Sequence, residues 1–159
     1  GQGAGQQAER DALLERLTDS VPYNRLLGVR FDRLGDELTG RMAFRDGLIG
    51  NPVLPALHGG VTGSFLEITG LMQLAWDQVL AALEAGDADA DGIRAGRFPP
   101  YPKTIDVTID YLRSGRPRET FARATVQKAG RRVANLHVEA WQESRSRPIA
   151  MLRGNFLMP

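Results

Sequence analysis

The chain has no cysteine and only two histidines among its 159 residues. These absences exclude a disulfide scaffold, a thiolate zinc site, a cysteine nucleophile and a histidine-rich metal cluster. The lack of cysteine agrees with a reducing compartment, and the polar N-terminus does not have the pattern of a signal peptide, so we expect a cytoplasmic protein. No apolar run reaches the roughly 18 residues of a membrane span. We therefore expect neither a metal nor a membrane partner.

An overall excess of positive or negative charge is also nearly absent, because the net charge is +1. This balance gives no case for a nucleic-acid partner. The charges are unevenly spread: residues 1–93 carry 7 basic and 14 acidic side chains, whereas residues 94–159 carry 13 basic and 5 acidic ones. A basic C-terminal half favours an anionic ligand such as a phosphorylated cofactor. Arginines on water-facing strands explain the same pattern equally well.

Length and composition predict a single domain over residues 1–159, since 42% of the residues are hydrophobic and 25% are charged. We expect residues 1–7 to be disordered or an expression remnant. An amphipathic helix follows at 8–19, then two strands at 29–34 and 38–44 joined by a hairpin turn, and a loop at 45–57.

A long apolar helix is predicted from His58 to about Ala85, because bulky residues recur at spacings of three and four. The acidic run at 87–92 lacks the spacing of a calcium loop and is expected to be a solvated loop. Strands follow at 104–111, 119–128, 132–142 and 149–158. In the first of them Thr104 alternates with an apolar face that begins at Ile105. This order predicts an α+β fold, in which an antiparallel meander of about four strands wraps one helix.

Glu67 is the only charged residue between Gly47 and Trp76. Its helical neighbours at i−7, i−4, i−3 and i+3 are all very small: Gly60, Gly63, Ser64 and Gly70. Glycine inside a helix costs about 1 kcal/mol relative to alanine, so the stripe indicates the close approach of another helix or of a ligand. A carboxylate in such a setting is a candidate for acid–base or nucleophilic chemistry. The alternative is a glutamate at the helix edge that reaches water or pairs with an arginine.

The start of the helix, His58-Gly59-Gly60, is the second candidate element. A helix N-terminus offers unpaired N–H groups and a partial positive charge, which suits the polarisation of a carbonyl oxygen. The alternative is a tight entry turn with a structural histidine. Gly59 and Glu67 are eight residues apart, about 12 Å along a helix. Both can act on one carbonyl only if they come from different subunits, so the sequence predicts a two-fold dimer packed along the glycine stripes.

Two segments, LHGGVTGSFLE at 57–67 and TIDVTIDYLR at 104–113, resemble the hotdog-fold acyl-CoA thioesterases. The similar branch is the phenylacetate-pathway (PaaI-like) and hydroxybenzoyl-CoA group, and the resemblance spans roughly residues 22–158. It implies a hotdog fold with one long central helix and hydrolysis of an acyl-CoA thioester. It also implies a homodimer or homotetramer, with no cofactor beyond the coenzyme A of the substrate.

The resemblance also implies roles for particular residues. Gly59, in the His58-Gly59-Gly60 turn, would polarise the thioester carbonyl, and Glu67 of the other subunit would act as general base or nucleophile. The remaining residues implied are Thr104 to hold the water or the carboxylate, Asn51 to hold the water, and Arg113 and Arg116 to contact coenzyme A phosphates.

Two other functions stay open on the same fold. One is a non-hydrolytic acyl-CoA binding or sensing protein. The other is a dehydratase or hydratase, a chemistry that usually needs a histidine–acid pair, whereas Glu67 has only Ser64 as a polar helical neighbour. His137 is expected to be a half-exposed residue of the sheet.

Overall fold

A computed structural model describes residues 2–159, with four α-helices and eight strands in that part of the chain. The helices are α1 (Gln2–Asp19), α2 (Pro22–Leu27), α3 (Gly59–Ala85) and α4 (Ala88–Arg94). The strands are β1 (Val29–Leu34), β2 (Glu37–Met42), β3 (Ile49–Asn51), β4 (Ala56–Leu57), β5 (Lys103–Tyr111), β6 (Thr120–Ala129), β7 (Val133–Trp141) and β8 (Ala150–Leu157). None of these helices is long and apolar enough to cross a bilayer.

Six strands form one antiparallel sheet in the order β1-β2-β6-β7-β8-β5, and β3 pairs with β4 in a separate ribbon. The prediction of an antiparallel sheet around one helix is confirmed, but the predicted four-strand meander is wrong in one respect. β5 does not pair with β6, its successor in the chain, but with β8 at the far edge. The connection from Leu112 to Glu119 therefore crosses the end of the sheet, where Leu112 and Arg113 both donate to the Ile149 carbonyl.

The long helix α3 packs across one face of the sheet. Trp76, Phe65 and Met72 are fully buried, and each such side chain contributes roughly 1.5–3 kcal/mol of burial free energy. The sheet supplies the facing core residues from alternate positions of β7, which are Ala134, Leu136, Val138 and Ala140. His137 lies on the opposite, half-exposed face of β7, as expected.

The stripe of small residues on α3 packs against the chain's own sheet. A Cβ at Gly70 would lie 3.3 Å from Leu136 and 3.4 Å from Val138, and one at Gly63 would lie 3.0 Å from Ile109. The stripe therefore allows α3 to approach the sheet closely. The chain's own sheet supplies the close approach at Gly63 and Gly70, and packing of the rest of the stripe against a second helix stays a prediction.

The strand β5 contains an irregularity that changes which residues face α3. The pairing with β8 shifts between Thr104 and Asp106, so Ile105 is an extra, half-exposed residue. Thr104 pairs with Phe156 and Val107 with Gly154. Both partners lie on the buried side of β8, which faces the helix. The predicted period of two placed Thr104 opposite the apolar face; the bulge instead brings Thr104 to the same side as the later apolar residues.

The N-terminal helix α1 begins earlier than predicted, because residues 2–7 continue it; Gly1 lies outside the described residues. The carbonyl and side-chain oxygens of Gln7 both accept from Arg33, which also pairs with Asp11 at 3.0 Å. Residues 2–7 are thus part of α1, and whether they are an expression remnant stays a prediction. Burial of Leu13, Leu14 and Leu17 anchors the rest of the helix.

Two short helices lie in segments for which the sequence predicted no helix. α2 begins at Pro22, a residue suited to the first turn of a helix, and ends at Gly28 with a φ of 74°. α4 occupies most of the acidic run, because the Asp87 side chain caps it and Ala90 and Ile93 are buried. The prediction that this run is a solvated loop is wrong, although Gly86 does end α3 with a φ of 66°.

Candidate active site

The entry to α3 is held by the side chain of His58. This residue has extended backbone angles, and its Nδ1 accepts a hydrogen bond from the Gly60 N–H at 2.8 Å. Its carbonyl accepts from Val61 and Thr62, which starts the helical hydrogen-bond pattern. The Gly60 N–H is thus already occupied, so it is not one of the unpaired N–H groups expected at the start of the helix.

The Gly59 N–H is the one that remains available at this turn. It is the first N–H of the helix, so it has no acceptor within the helix, and it meets no other protein acceptor in residues 2–159. The Gly59 carbonyl accepts from the Tyr111 hydroxyl at 2.7 Å. A cavity of about 370 Å³ opens beside Gly59, and its lining includes Thr62, Tyr111 and Arg113.

The loop before α3 packs its backbone directly against His58. A Cβ at Gly50 would lie only 2.5 Å from the His58 Cα, so glycine is required for this approach. The next residue, Asn51, is exposed, and its side-chain oxygen accepts from the N–H groups of Val53 and Leu54 at 3.0 and 3.3 Å. The Asn51 oxygen therefore stabilises its own loop, and no hydrogen bond joins Asn51 to Glu67 in the part of the chain described.

The carboxylate of Glu67 is half-buried and held by β5. The Thr104 hydroxyl donates to Glu67 Oε2 at 2.7 Å, a contact that the bulge at Ile105 makes possible. Hydrogen bonds to a charged acceptor contribute about 1.5–3 kcal/mol each. One turn earlier, the hydroxyls of Ser64 and Tyr23 lie 3.1 Å apart, which places α2 against the same region of α3.

Tyr101 lies close enough to Glu67 for the carboxylate charge to affect the pKa of its phenol. Burial, and secondly the negative charge of Glu67, raise the pKa of the Tyr101 phenol, so this phenol stays protonated at neutral pH. Sequence reasoning missed Tyr101, because it lies between prolines in a loop. Its aromatic character was the only available signal.

The Gly59 turn and Glu67 are separate places in one chain. Both belong to the continuous helix α3, so the separation of about 12 Å given by the helical rise applies. The cavity beside Gly59 does not include Glu67 or Thr104 among its lining residues. The structure thus brings together Glu67 with Thr104, and Gly59 with His58 and Gly60, but not the two groups with each other.

Three arginines surround a second cavity, of about 510 Å³, that adjoins the first. Arg113, Arg116 and Arg147 line it, and it shares Arg113, Ser114 and Ile149 with the cavity beside Gly59. Arg113 also donates to the Pro148 carbonyl at 2.7 Å, which fixes its direction. Arg147 was not singled out from the sequence, although the basic excess after residue 93 indicated where such a cluster would come from.

Comparison with known proteins shows the family to which the chain belongs. The family model described as the thioesterase superfamily matches residues 54–149. The medium/long-chain acyl-CoA thioesterase YigI of Escherichia coli K12 is 33% identical over 126 residues, which are 77% of this chain and 77% of YigI.

Solved structures agree with the fold. A protein from Chromobacterium violaceum matches with a TM-score of 0.66 and 31% identity, over 100% of this chain and 98% of that one. The Escherichia coli PaaI protein of the phenylacetic acid degradation operon matches with a TM-score of 0.67 over 96% of this chain and 94% of its own, at 15% identity, and so shows the fold alone.

The long helix wrapped by an antiparallel sheet, together with these matches, defines a hotdog-fold protein. The chain belongs to the thioesterase superfamily.

Proposed function

We propose that the protein is an acyl-CoA thioesterase that hydrolyses its substrate to a free acid and coenzyme A. The observation that carries this proposal is the hydrogen bond from Thr104 to Glu67, which orients the one carboxylate in an otherwise uncharged stretch of chain. The identity to YigI supports an acyl-CoA substrate and, within that class, medium- or long-chain acyl groups.

In the proposed reaction, the Gly59 N–H binds the thioester carbonyl oxygen and stabilises the negative charge that develops there. Glu67 of the partner subunit removes a proton from water as the water oxygen attacks the carbonyl carbon. The C–S bond then breaks, and the coenzyme A sulfur takes up the proton. Alternatively, Glu67 attacks directly to form an acyl–enzyme anhydride, which water then hydrolyses.

A dimer is part of this proposal, because one chain does not unite the two groups. The free edge of β5 supports it, since Ile105 and Val107 are exposed there by 52% and 37%, and Leu112, the next residue after the strand, by 48%. An exposed apolar strand edge is a template for pairing with a second chain. Pairing along β5 is an alternative to the helix-to-helix contact suggested by the glycine stripe, and both a homodimer and a homotetramer are compatible with it.

The cavity with three arginines supports coenzyme A as the leaving group. Arg113 and Arg116, joined by Arg147, present cationic side chains for its phosphates. This cavity adjoins the one beside Gly59, so the thioester and the phosphates would lie along one groove. The proposed reaction needs no metal or further cofactor, and we place it in the cytoplasm.

A dehydratase is less favoured by the geometry. Among the described residues, Glu67 pairs with a threonine and not with a histidine. His58 is used as the helix cap, and His137 lies on the other face of the sheet. No histidine–acid pair is therefore formed among residues 2–159.

The test is hydrolysis of a panel of short, medium, long and aromatic acyl-CoA esters, with detection of the released thiol. We expect turnover by the wild type and at least a 100-fold lower kcat in Glu67→Gln, with unchanged folding. Glu84→Gln, the other glutamate of α3, is the matched control and should keep full activity. Full hydrolysis by Glu67→Gln would overturn the mechanism, and tight acyl-CoA binding without turnover by the wild type would identify a binding protein.

A further inference from the structure

Tyr111 makes a long-range contact that the proposed mechanism does not yet use. It is the last residue of β5, yet its hydroxyl donates to the Gly59 carbonyl at 2.7 Å, across 52 residues of sequence. Its ring packs on the same turn, since a Cβ at Gly59 would lie 3.5 Å from two ring carbons and one at Gly63 would lie 3.1 Å from the hydroxyl. The contact therefore joins the sheet edge to the first turns of α3.

The turn that Tyr111 contacts needs such support. Three of the first five residues of α3 are glycines, and glycine has the greatest backbone freedom to lose on folding. Helix ends also fray, because their first N–H groups have no partners within the helix. Tyr111 is itself anchored, since it pairs with the buried Ala150 of β8. The rigid sheet thus limits the motion of an otherwise flexible turn.

The contact acts on the residue that carries the free N–H. On the N-terminal side, the His58 carbonyl is held by the N–H groups of Val61 and Thr62. On the C-terminal side, the Gly59 carbonyl is held by Tyr111. The peptide groups on both sides of the Gly59 Cα are therefore fixed, which fixes the direction of the Gly59 N–H. Tyr111 also lines the cavity beside Gly59, where the thioester would enter.

We propose that Tyr111 is a positioning residue, whose hydroxyl holds the Gly59 turn so that the Gly59 N–H points at the thioester carbonyl. This inference rests on the proposed thioesterase function. The oxyanion forms only during the reaction, so the benefit of a well-aimed donor appears mainly in kcat.

The first test is Tyr111→Phe, which removes the hydroxyl and keeps the ring on the two glycines. We expect kcat to fall about 3- to 10-fold with KM nearly unchanged, the effect of losing one neutral hydrogen bond. Asp110→Asn, at the neighbouring position on the other face of β5, is the control and should match the wild type. Unchanged kcat in Tyr111→Phe, or a loss confined to KM, overturns the proposal.

A second variant separates positioning from general support of the fold. Gly59→Pro removes the N–H while suiting the first helical position, and the φ of −63° and ψ of 133° at His58 are those favoured before proline. In that background, Tyr111→Phe should produce no further loss of kcat, because the donor it positions is gone. The same 3- to 10-fold loss in both backgrounds contradicts the proposal. The proposed function is tested separately. It is wrong if the wild type does not hydrolyse acyl-CoA, or if Glu67→Gln hydrolyses it as fast as the wild type.

Discussion

At the scale of single residues, one hydroxyl controls the direction of the Glu67 carboxylate. Thr104→Val keeps the shape of the side chain but removes the 2.7 Å hydrogen bond. We expect kcat to fall by about 10- to 100-fold, the loss of one hydrogen bond to a charged group, whereas Thr104→Ser should retain most activity. Thr108→Val is the matched control, because Thr108 lies on the opposite face of β5. Equal kinetics for the valine and serine variants would contradict this role.

A second residue-scale prediction concerns the stability of the fold and its dependence on pH. Burial raises the pKa of Asp77, the hydrogen bond from Gln73 opposes this, and the nearby charge of Asp36 adds to the rise. The folded state therefore binds the Asp77 proton more tightly than the unfolded state. Its contribution is most favourable below the ordinary value of 3.8 and is lost as the pH rises through the raised pKa.

The corresponding variant is Asp77→Asn, whose side-chain oxygen still accepts from Gln73. We expect it to unfold at a higher urea concentration than the wild type at pH 7. The gain in the free energy of unfolding should be less than about 1 kcal/mol, because Asp77 is partly exposed. The advantage should shrink as the pH is lowered toward 4. An advantage that instead grows on acidification contradicts the assignment.

At the scale of elements, the bulge of β5 depends on a glycine in β8. A Cβ at Gly154 would lie 2.9 Å from the Asp106 carbonyl oxygen, a backbone atom that moves only with its strand. Gly154→Ala should therefore lower the free energy of unfolding by about 1–3 kcal/mol and lower kcat, because displacing β5 moves Thr104. Gly47→Ala, with open space around its Cβ position, is the control and should lie within about 0.5 kcal/mol of the wild type. Unchanged stability and kcat in Gly154→Ala would contradict this dependence.

The elements that sequence patterns predict are those whose burial has a regular period. α3 was predictable to within one residue at its start because it has a continuous apolar face. The bounds of β1 were predictable because the hairpin turn that follows it is evident in the sequence. α4 was missed because Ala90 and Ile93 are its only buried residues with an apolar side chain in an acidic run, and its stability comes from tertiary contacts.

Two features of β5 could not be predicted from local sequence patterns, for another reason. The bulge at Ile105 reverses the alternation of the strand, and the position of β5 beside β8 depends on a crossing connection. Both are decided by the fit of distant strands. The residues of the site divide in the same way. Glu67 and Gly59 could be predicted from their neighbours in the sequence, whereas the contacts of Tyr111 and Arg147 depend on how the sheet is assembled.

At the scale of the whole molecule, the proposed shared site can be tested by mixing two variants that each retain only a low residual activity. Glu67→Gln and Gly59→Pro each damage one half of every site in a homodimer. A mixed dimer across a two-fold axis has one doubly altered site and one intact site. After subunit exchange of an equal mixture, we therefore expect recovery to about one quarter of wild-type activity.

The control for this experiment is each variant taken through the same exchange alone, which should keep its low residual activity. Sedimentation should show a dimer or tetramer for all the proteins. A mixture that keeps the low residual activity of its components, although mixed dimers form, would mean that both halves of the site come from one chain, and the proposed dimer mechanism would be wrong.

The hydroxyls of Thr104 and Tyr111 project from one strand, one toward the carboxylate and the other toward the helix start. The helical rise of α3 sets the separation of the two reactive groups, and the bulged backbone of β5 sets the matching spacing of the two hydroxyls that hold them. A residue inserted into or deleted from this short stretch would misplace both anchors together, even in a protein that still folds. Length changes in the connection at 112–119 would leave that spacing intact, so insertions and deletions among natural relatives should accumulate there and be rare within β5.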